Sequence, residues 1–85
     1  MKSLLIIQGK NSPELLERIL RVVRHRGFSM QNLQAETTEN EQGLHLTLTV
    51  LSDRNINLLT KQLEKIFGIT KVSTLSQESM VKASA

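Results

Sequence analysis

Two stretches with helical spacing, each ending at a glycine, constrain the fold of this chain more than any other feature. The first begins at Pro13 and ends before Gly27, and the second runs from about residue 53 to Phe67, just before Gly68. Proline is tolerated in the first turn of a helix, because the N–H that it lacks is unpaired there anyway, and glycine commonly ends a helix. We therefore predict two helices, with Asn11 or Ser12 capping the first and Ser52 or Asp53 capping the second.

Each predicted helix has one apolar face, at about 100° per residue. The apolar positions are Leu15, Leu16, Ile19, Leu20, Val22 and Val23 in the first helix and Ile56, Leu59, Leu63, Ile66 and Phe67 in the second. Leu58 lies off the second face, so the core of the domain does not require an apolar side chain there. We predict that Leu58 contacts a partner.

Four short segments between and around the helices are predicted strands. Residues 3–8 are aliphatic at every central position, which predicts a strand buried on both sides. Residues 44–51 alternate aliphatic side chains with histidine and threonine, as in a strand with one apolar face. Residues 28–36 and 69–76 give the other two strands, and the polar residues 37–43 form a hairpin loop.

This order of elements predicts an α+β, ferredoxin-like βαββαβ domain, with a four-stranded antiparallel sheet and two helices on one face. The domain is expected to span residues 1–76, and residues 77–85 to form a flexible tail. A small domain with exposed sheet edges gains from pairing them, so we also expect a homodimer.

The composition excludes several classes of site. The 85 residues include no cysteine, so disulfides, iron–sulfur clusters and thiolate metal sites are excluded. His25 and His45 have no partner at a metal-binding spacing, and the serines lie in no nucleophile motif, so we expect neither a metal site nor catalytic residues. The predicted central strands lack the aromatic side chains that bind RNA. No run reaches the ~20 apolar residues of a membrane helix, so we expect a soluble, cytoplasmic protein.

Two features of the first helix are candidate binding sites. Arg18, Arg21 and Arg24 form a basic stripe, which is either a solvated surface or a docking surface for an acidic partner. The turn over residues 9–14 precedes a helix N-terminus, which attracts carboxylates. However, Pro13 removes one donor there and Glu14 adds a negative charge, and both argue against an anionic ligand.

The segment over residues 13–28, PELLERILRVVRHRGF, closely resembles the short, isozyme II type of small subunit of acetohydroxyacid synthase (acetolactate synthase), an ACT-domain family. Weaker similarity continues through residues 46–50, 57–59, 62–63 and 71–72. The resemblance implies a non-catalytic regulatory subunit that activates a catalytic large subunit in branched-chain amino-acid (valine, leucine, isoleucine) biosynthesis. Thiamine diphosphate, magnesium and FAD are then expected in that partner, and no cofactor in this chain.

The resemblance also bears on regulation by valine. Members of the family that respond to valine hold it between the first strand–helix turn of one ACT domain and the second strand of its neighbour. Asn11 matches their asparagine, whereas Glu14 stands in place of a glycine and Ser29 in place of the usual asparagine. Asn11, Glu14 and Ser29 are therefore expected to form a vestigial ligand site that responds poorly to valine.

Two other functions remain open from the sequence. The chain could be a stand-alone ACT module that senses an amino acid, without any catalytic partner. A nucleic-acid-binding ferredoxin-like domain is the third possibility, for which salt-dependent affinity for DNA or RNA is the expected sign.

Overall fold

The chain folds in the order strand, helix, strand, strand, helix, strand, in a computed structural model that describes residues 2–38 and 40–76. The elements are β1 (Lys2–Lys10), α1 (Pro13–His25), β2 (Ser29–Thr37), β3 (Gly43–Leu51), α2 (Ile56–Glu64) and β4 (Ile69–Ser76). The strands form one antiparallel sheet in the order β2-β3-β1-β4. The predicted ferredoxin-like fold is confirmed, with β1 and β3 as the central strands. The predicted tail, residues 77–85, lies outside the described residues.

Both helices pack on one face of the sheet, which we call the covered face. In the centre of the sheet, Leu5 of β1 pairs with Leu48 of β3, and Ile7 pairs with Leu46. These side chains are buried in one cluster with the apolar faces of both helices, which contribute Leu15, Ile19, Val23, Leu59 and Leu63. Burying one such side chain contributes roughly 1.5–3 kcal/mol, so this layer supplies most of the driving force for folding.

The other face of the sheet, which we call the open face, corrects one prediction. The sequence predicts that β1 is buried on both sides, but only the covered side is. Leu5 and Ile7 are fully buried, whereas Leu4 and Ile6 are half-buried and lie outside the core cluster. The reason is that residues 2–38 and 40–76 form only two helices, and both are used on the covered face.

The second helix is shorter than predicted at both ends. Its cap is Asn55, whose side chain accepts a hydrogen bond from the N–H of Asn57 at 2.9 Å, and not Ser52 or Asp53. The helix ends at Glu64, and Phe67, predicted to lie in its apolar face, is 83% exposed. The chain leaves the helix in a turn, so helical spacing no longer determines where Phe67 points.

Candidate functional site

The turn between β1 and α1, which carries the predicted ligand residue Asn11, is fixed to the β2–β3 hairpin. The backbone N–H of Asn11 donates to the carbonyl of Gln42 at 3.0 Å. Its side-chain amide donates to the carbonyl of Glu41 at 2.8 Å. Glu41 has a φ of +60°, a left-handed conformation that turns the hairpin. A ligand that used the Asn11 amide would have to compete with this hydrogen bond.

The same turn is packed closely against the connection from α2 to β4. The N–H of Lys10 donates to the carbonyl of Gly68 at 2.9 Å. A Cβ atom placed on Gly9 would lie 2.6 Å from that carbonyl oxygen and 2.8 Å from a methyl group of Leu15. Only glycine allows the two backbone segments to approach so closely. The turn is thus held from two sides by parts of the chain distant in sequence.

Beside this turn lies a small groove of about 210 Å³, lined in part by Lys10, Glu14, Arg18 and Phe67. The Lys10 ammonium lies 5.1 Å from the centre of the Phe67 ring, within the range of a cation–π contact. Glu14 is exposed in the first turn of α1. A carboxylate ligand that entered this groove would meet the Glu14 carboxylate together with the two cations.

Ser29, the third predicted ligand residue, lies at the opposite end of the sheet within one chain. Ser29 pairs with Leu51, which also pairs with Lys2. Asn11 follows Lys10, which pairs with Gly43 at the other end of β3. Eight residues of strand separate these ends, roughly 26 Å at about 3.3 Å per residue. Within a single chain, Asn11 and Glu14 therefore lie at one end of the sheet and Ser29 at the other.

A larger groove of about 690 Å³ runs between α1 and the start of β2. Its lining includes Leu20, Arg21 and Arg24 of α1, and Ser29 and Met30 of β2. Leu20 and Met30 are half-buried, and both arginines are exposed. The structure thus places two of the three predicted basic residues beside Ser29, whereas Arg18 borders the groove at the β1–α1 turn.

Leu58, the predicted partner contact on α2, is 53% exposed. Its neighbour Leu59 is fully buried, as expected if the two side chains lie on different sides of the helix. Leu58 lines neither of the two grooves. The structure therefore places it on the surface, separate from the other candidate residues.

Little in the described residues suggests a metal-binding or membrane-spanning site. Among residues 2–38 and 40–76, no three of His, Cys, Asp and Glu come close enough together to hold a metal ion. Neither α1 nor α2, the two helices in this part of the chain, is long and apolar enough to cross a membrane. His45 is exposed on the open face, as expected from its position in β3.

Known proteins provide the context for these surfaces. Residues 11–72 match the model of the ACT domain family. The chain is 39% identical to the acetolactate synthase isozyme 2 small subunit of Escherichia coli (strain K12) over 67 residues, which is 79% of this chain and 77% of that protein. It is 31% identical to a probable acetolactate synthase small subunit of Archaeoglobus fulgidus over 94% of this chain and 51% of that one.

Solved structures agree on the fold. The acetolactate synthase small subunit from Thermotoga maritima superposes with a TM-score of 0.76 over 91% of this chain and 48% of that one, at 20% identity. The ACT domain of a GTP pyrophosphokinase from Chlorobium tepidum also gives 0.76, at 14% identity, over 88% and 97% of the two chains. The resemblance detected in residues 13–28 is confirmed, and both sequence relatives described above are named as small subunits.

Proposed function

Because the chain belongs to the ACT-domain family of acetolactate synthase small subunits, we propose that it binds and activates the catalytic large subunit of an acetolactate synthase. The observation that carries this proposal is the 39% identity to the E. coli small subunit across most of both chains. The assembled enzyme acts in branched-chain amino-acid biosynthesis in the cytoplasm. Thiamine diphosphate, magnesium and FAD belong to the large subunit, and this chain supplies no catalytic group.

Activation without catalytic groups has a simple physical basis. A regulatory subunit that binds the active conformation of its partner more tightly than the inactive one shifts the population toward the active form. A tenfold difference between the two affinities corresponds to about 1.4 kcal/mol. A protein surface of modest size is sufficient for this, and the grooves of a small domain provide one.

Reconstitution tests this proposal. The large subunit from the same organism is expressed with a tag, with and without this chain, and acetolactate formation from pyruvate is measured. We expect the chain to co-purify and to raise the activity of the large subunit, and the chain alone to form no acetolactate. Activity that is the same at all concentrations of the chain contradicts the proposal, as does pyruvate turnover by the chain alone.

We further propose that the chain forms a homodimer through β2 and α1. Among the described strands, β2 pairs only with β3, so its outer edge keeps unpaired backbone donors and acceptors. The groove beside this edge offers Leu20 and Met30 as apolar contacts. Arg21 and Arg24 border the same groove, and we assign them, with Arg18, to contacts with acidic side chains of the second copy.

Leu20 provides a test of this dimer. It is half-buried but not part of the core cluster, so Leu20→Glu should keep the fold and introduce a charge into the groove. We expect sedimentation to show dimers for the unmodified chain and monomers for Leu20→Glu. Lys65→Glu, in the exposed turn after α2, is the control and should remain dimeric. A chain that is monomeric at high concentration contradicts this proposal.

Such a dimer also gives the predicted ligand residues a common location. An antiparallel pair of β2 strands centred near Leu33 places Ser29 of one chain opposite Thr37 of the other. Thr37 lies next to the hairpin that holds Asn11. We propose that this is the remnant of a valine site, and that valine inhibits the enzyme poorly because of Glu14 and the occupied Asn11 amide. Two like charges ~4 Å apart repel by ~4 kcal/mol near a protein surface, before screening.

A valine titration of the assembled enzyme tests this point. We expect weak inhibition of the unmodified complex, because the carboxylate of valine approaches Glu14 and finds a short serine in place of an amide. The double variant Glu14→Gly, Ser29→Asn should gain inhibition by a factor of ten or more, since each ~1.4 kcal/mol is tenfold in affinity. Strong inhibition of the unmodified complex at micromolar valine contradicts the proposal.

A further inference from the structure

The open face of the sheet carries a group of half-buried and exposed apolar side chains around the first half of β1. Leu4 of β1 is paired directly with Leu75 of β4. Ile6 is the next residue of β1 on this face, and Leu51 pairs with Lys2 at the end of β3. Leu51 is 43% and Leu75 38% exposed. We call Leu4, Ile6, Leu51 and Leu75 the open-face patch.

The core of the domain does not explain this patch. None of its four residues belongs to the core cluster or to the partly buried side chains packed against it. The other half of the same face is polar, with Gln34, Glu36, His45 and Thr47 around a shallow groove. The fold therefore accepts polar residues on this face, as is usual for a sheet with one side in water. Grouped exposed apolar side chains commonly mark a site of protein contact.

The charges around the patch indicate what kind of surface can cover it. Lys2 and Lys71 lie on the open face beside it, because Lys2 pairs with Leu51 and Lys71 pairs with Gln8. The only described carboxylate on this face is Glu36, which lies on β2, at the far edge from β4. The patch and its border are thus apolar and positive, and a complementary surface is apolar with carboxylates around it.

A second copy of this chain does not provide such a surface. If two patches stack on each other, both pairs of lysines meet around the same apolar contact. The second copy could instead turn so that Lys71 of one copy faces Glu36 of its neighbour. Each patch would then lie against the polar part of the neighbour's sheet, including residues such as Gln34 and Thr47. The sheet face therefore lacks the self-complementarity that a two-fold interface requires.

We propose that the open-face patch is the surface on which the chain binds the catalytic large subunit, through an apolar area of that subunit bordered by aspartate or glutamate. This inference rests on the proposed function. It agrees with dimerisation through β2, because edge-to-edge pairing leaves both open faces on the same side of a continuous sheet. The dimer then presents two patches, each running from Leu75 on β4 across β1 to Leu51 at the end of β3, one for each of two catalytic chains.

The test uses the full chain and the large subunit from the same organism. Leu75→Asp and Leu51→Asp place a carboxylate in the patch, where it meets the apolar area and the acidic border of the partner. We expect each to weaken binding at least ~10-fold, as truncations at interface hot spots do. The thermal midpoint should shift by no more than about 4 °C. His45→Asp, on the polar part of the same face and away from the β2 edge, is the matched control and should bind normally.

Three further measurements decide between explanations. Lys71→Glu should weaken binding and reduce its dependence on salt. Leu75→Ser repeats the test with a milder change if the aspartate variants unfold. Loss of the dimer in Leu75→Asp overturns the inference in favour of a second copy, and normal binding by both patch variants overturns it outright. If the unmodified chain does not bind the large subunit, the proposed function itself fails.

Discussion

The two faces of the sheet differ in a way that separates stability from recognition. On the covered face, alternate residues of β1 and β3 are almost completely buried under two helices. On the open face, their immediate neighbours along the same strands are half-buried or exposed. Side chains on the covered face therefore determine whether the chain folds. Those on the open face are available for binding, and the predictions below test this division.

The largest effect is expected at Leu48, in the centre of the covered face. Leu48 is 0% exposed, and Leu48→Ala leaves a cavity between the sheet and the helices. Such substitutions cost about 2–5 kcal/mol, a large part of the total stability of a small domain. Denaturant unfolding should show this loss. Thr49 follows Leu48 in β3 but lies on the open face, so Thr49→Ala should lower the free energy of unfolding by less than about 1 kcal/mol. Similar losses at both positions would contradict the division between the two faces.

A smaller loss is expected where the covered face approaches the β1–α1 turn. Gly9→Ala places a methyl group 2.6 Å from the carbonyl oxygen of Gly68, and relieving such overpacking costs about 1–3 kcal/mol. Gly43→Ala is the comparison, since its closest neighbour is a methyl group of the exposed Thr38 side chain at 2.7 Å. That side chain can move once its hydrogen bonds to Asn40 and to the Gly43 N–H break, whereas the Gly68 carbonyl belongs to the backbone. Thermal unfolding should show the larger decrease for Gly9→Ala, and an equal decrease for both would show that the turn is not held rigidly.

The parts of the fold that the sequence predicted well are those with local signals. The first helix begins at Pro13 and its last turn is followed by Gly27, which has a φ of +85°. The alternation over residues 44–50 correctly assigns the buried and exposed sides of β3. These signals depend only on neighbouring residues, so they can be interpreted without knowing the tertiary structure.

The incorrect predictions depended on information that is not local. The aliphatic run over residues 4–7 is compatible with burial on both sides, and only the placement of both helices on one face shows that Leu4 and Ile6 are left uncovered. Phe67 continues the helical spacing, but the helix has already ended at Glu64. Similarly, the contact of Asn11 with Glu41 spans 30 residues of sequence, and no short pattern indicates it.

The smallest effect on stability is expected at Leu58, which tests whether the division between faces extends to the helices. Leu58 is the exposed neighbour of the fully buried Leu59 on α2, and α2 packs against β4, on the half of the molecule that carries the open-face patch. Leu58→Lys exchanges one exposed side chain for another, so the free energy of unfolding should change by less than about 0.5 kcal/mol.

We expect Leu58→Lys to weaken partner binding nevertheless, because burying a lysine in an apolar contact costs free energy unless the charge is paired. Sedimentation and large-subunit binding, measured on the same variant, show which partner is affected. Loss of large-subunit binding with an intact dimer indicates that this partner extends around the β4 edge from the open-face patch to α2. Loss of the dimer instead assigns Leu58 to the contact between copies. A loss of several kcal/mol in the free energy of unfolding would show that Leu58 belongs to the core. The division between buried and available side chains would then not hold on α2.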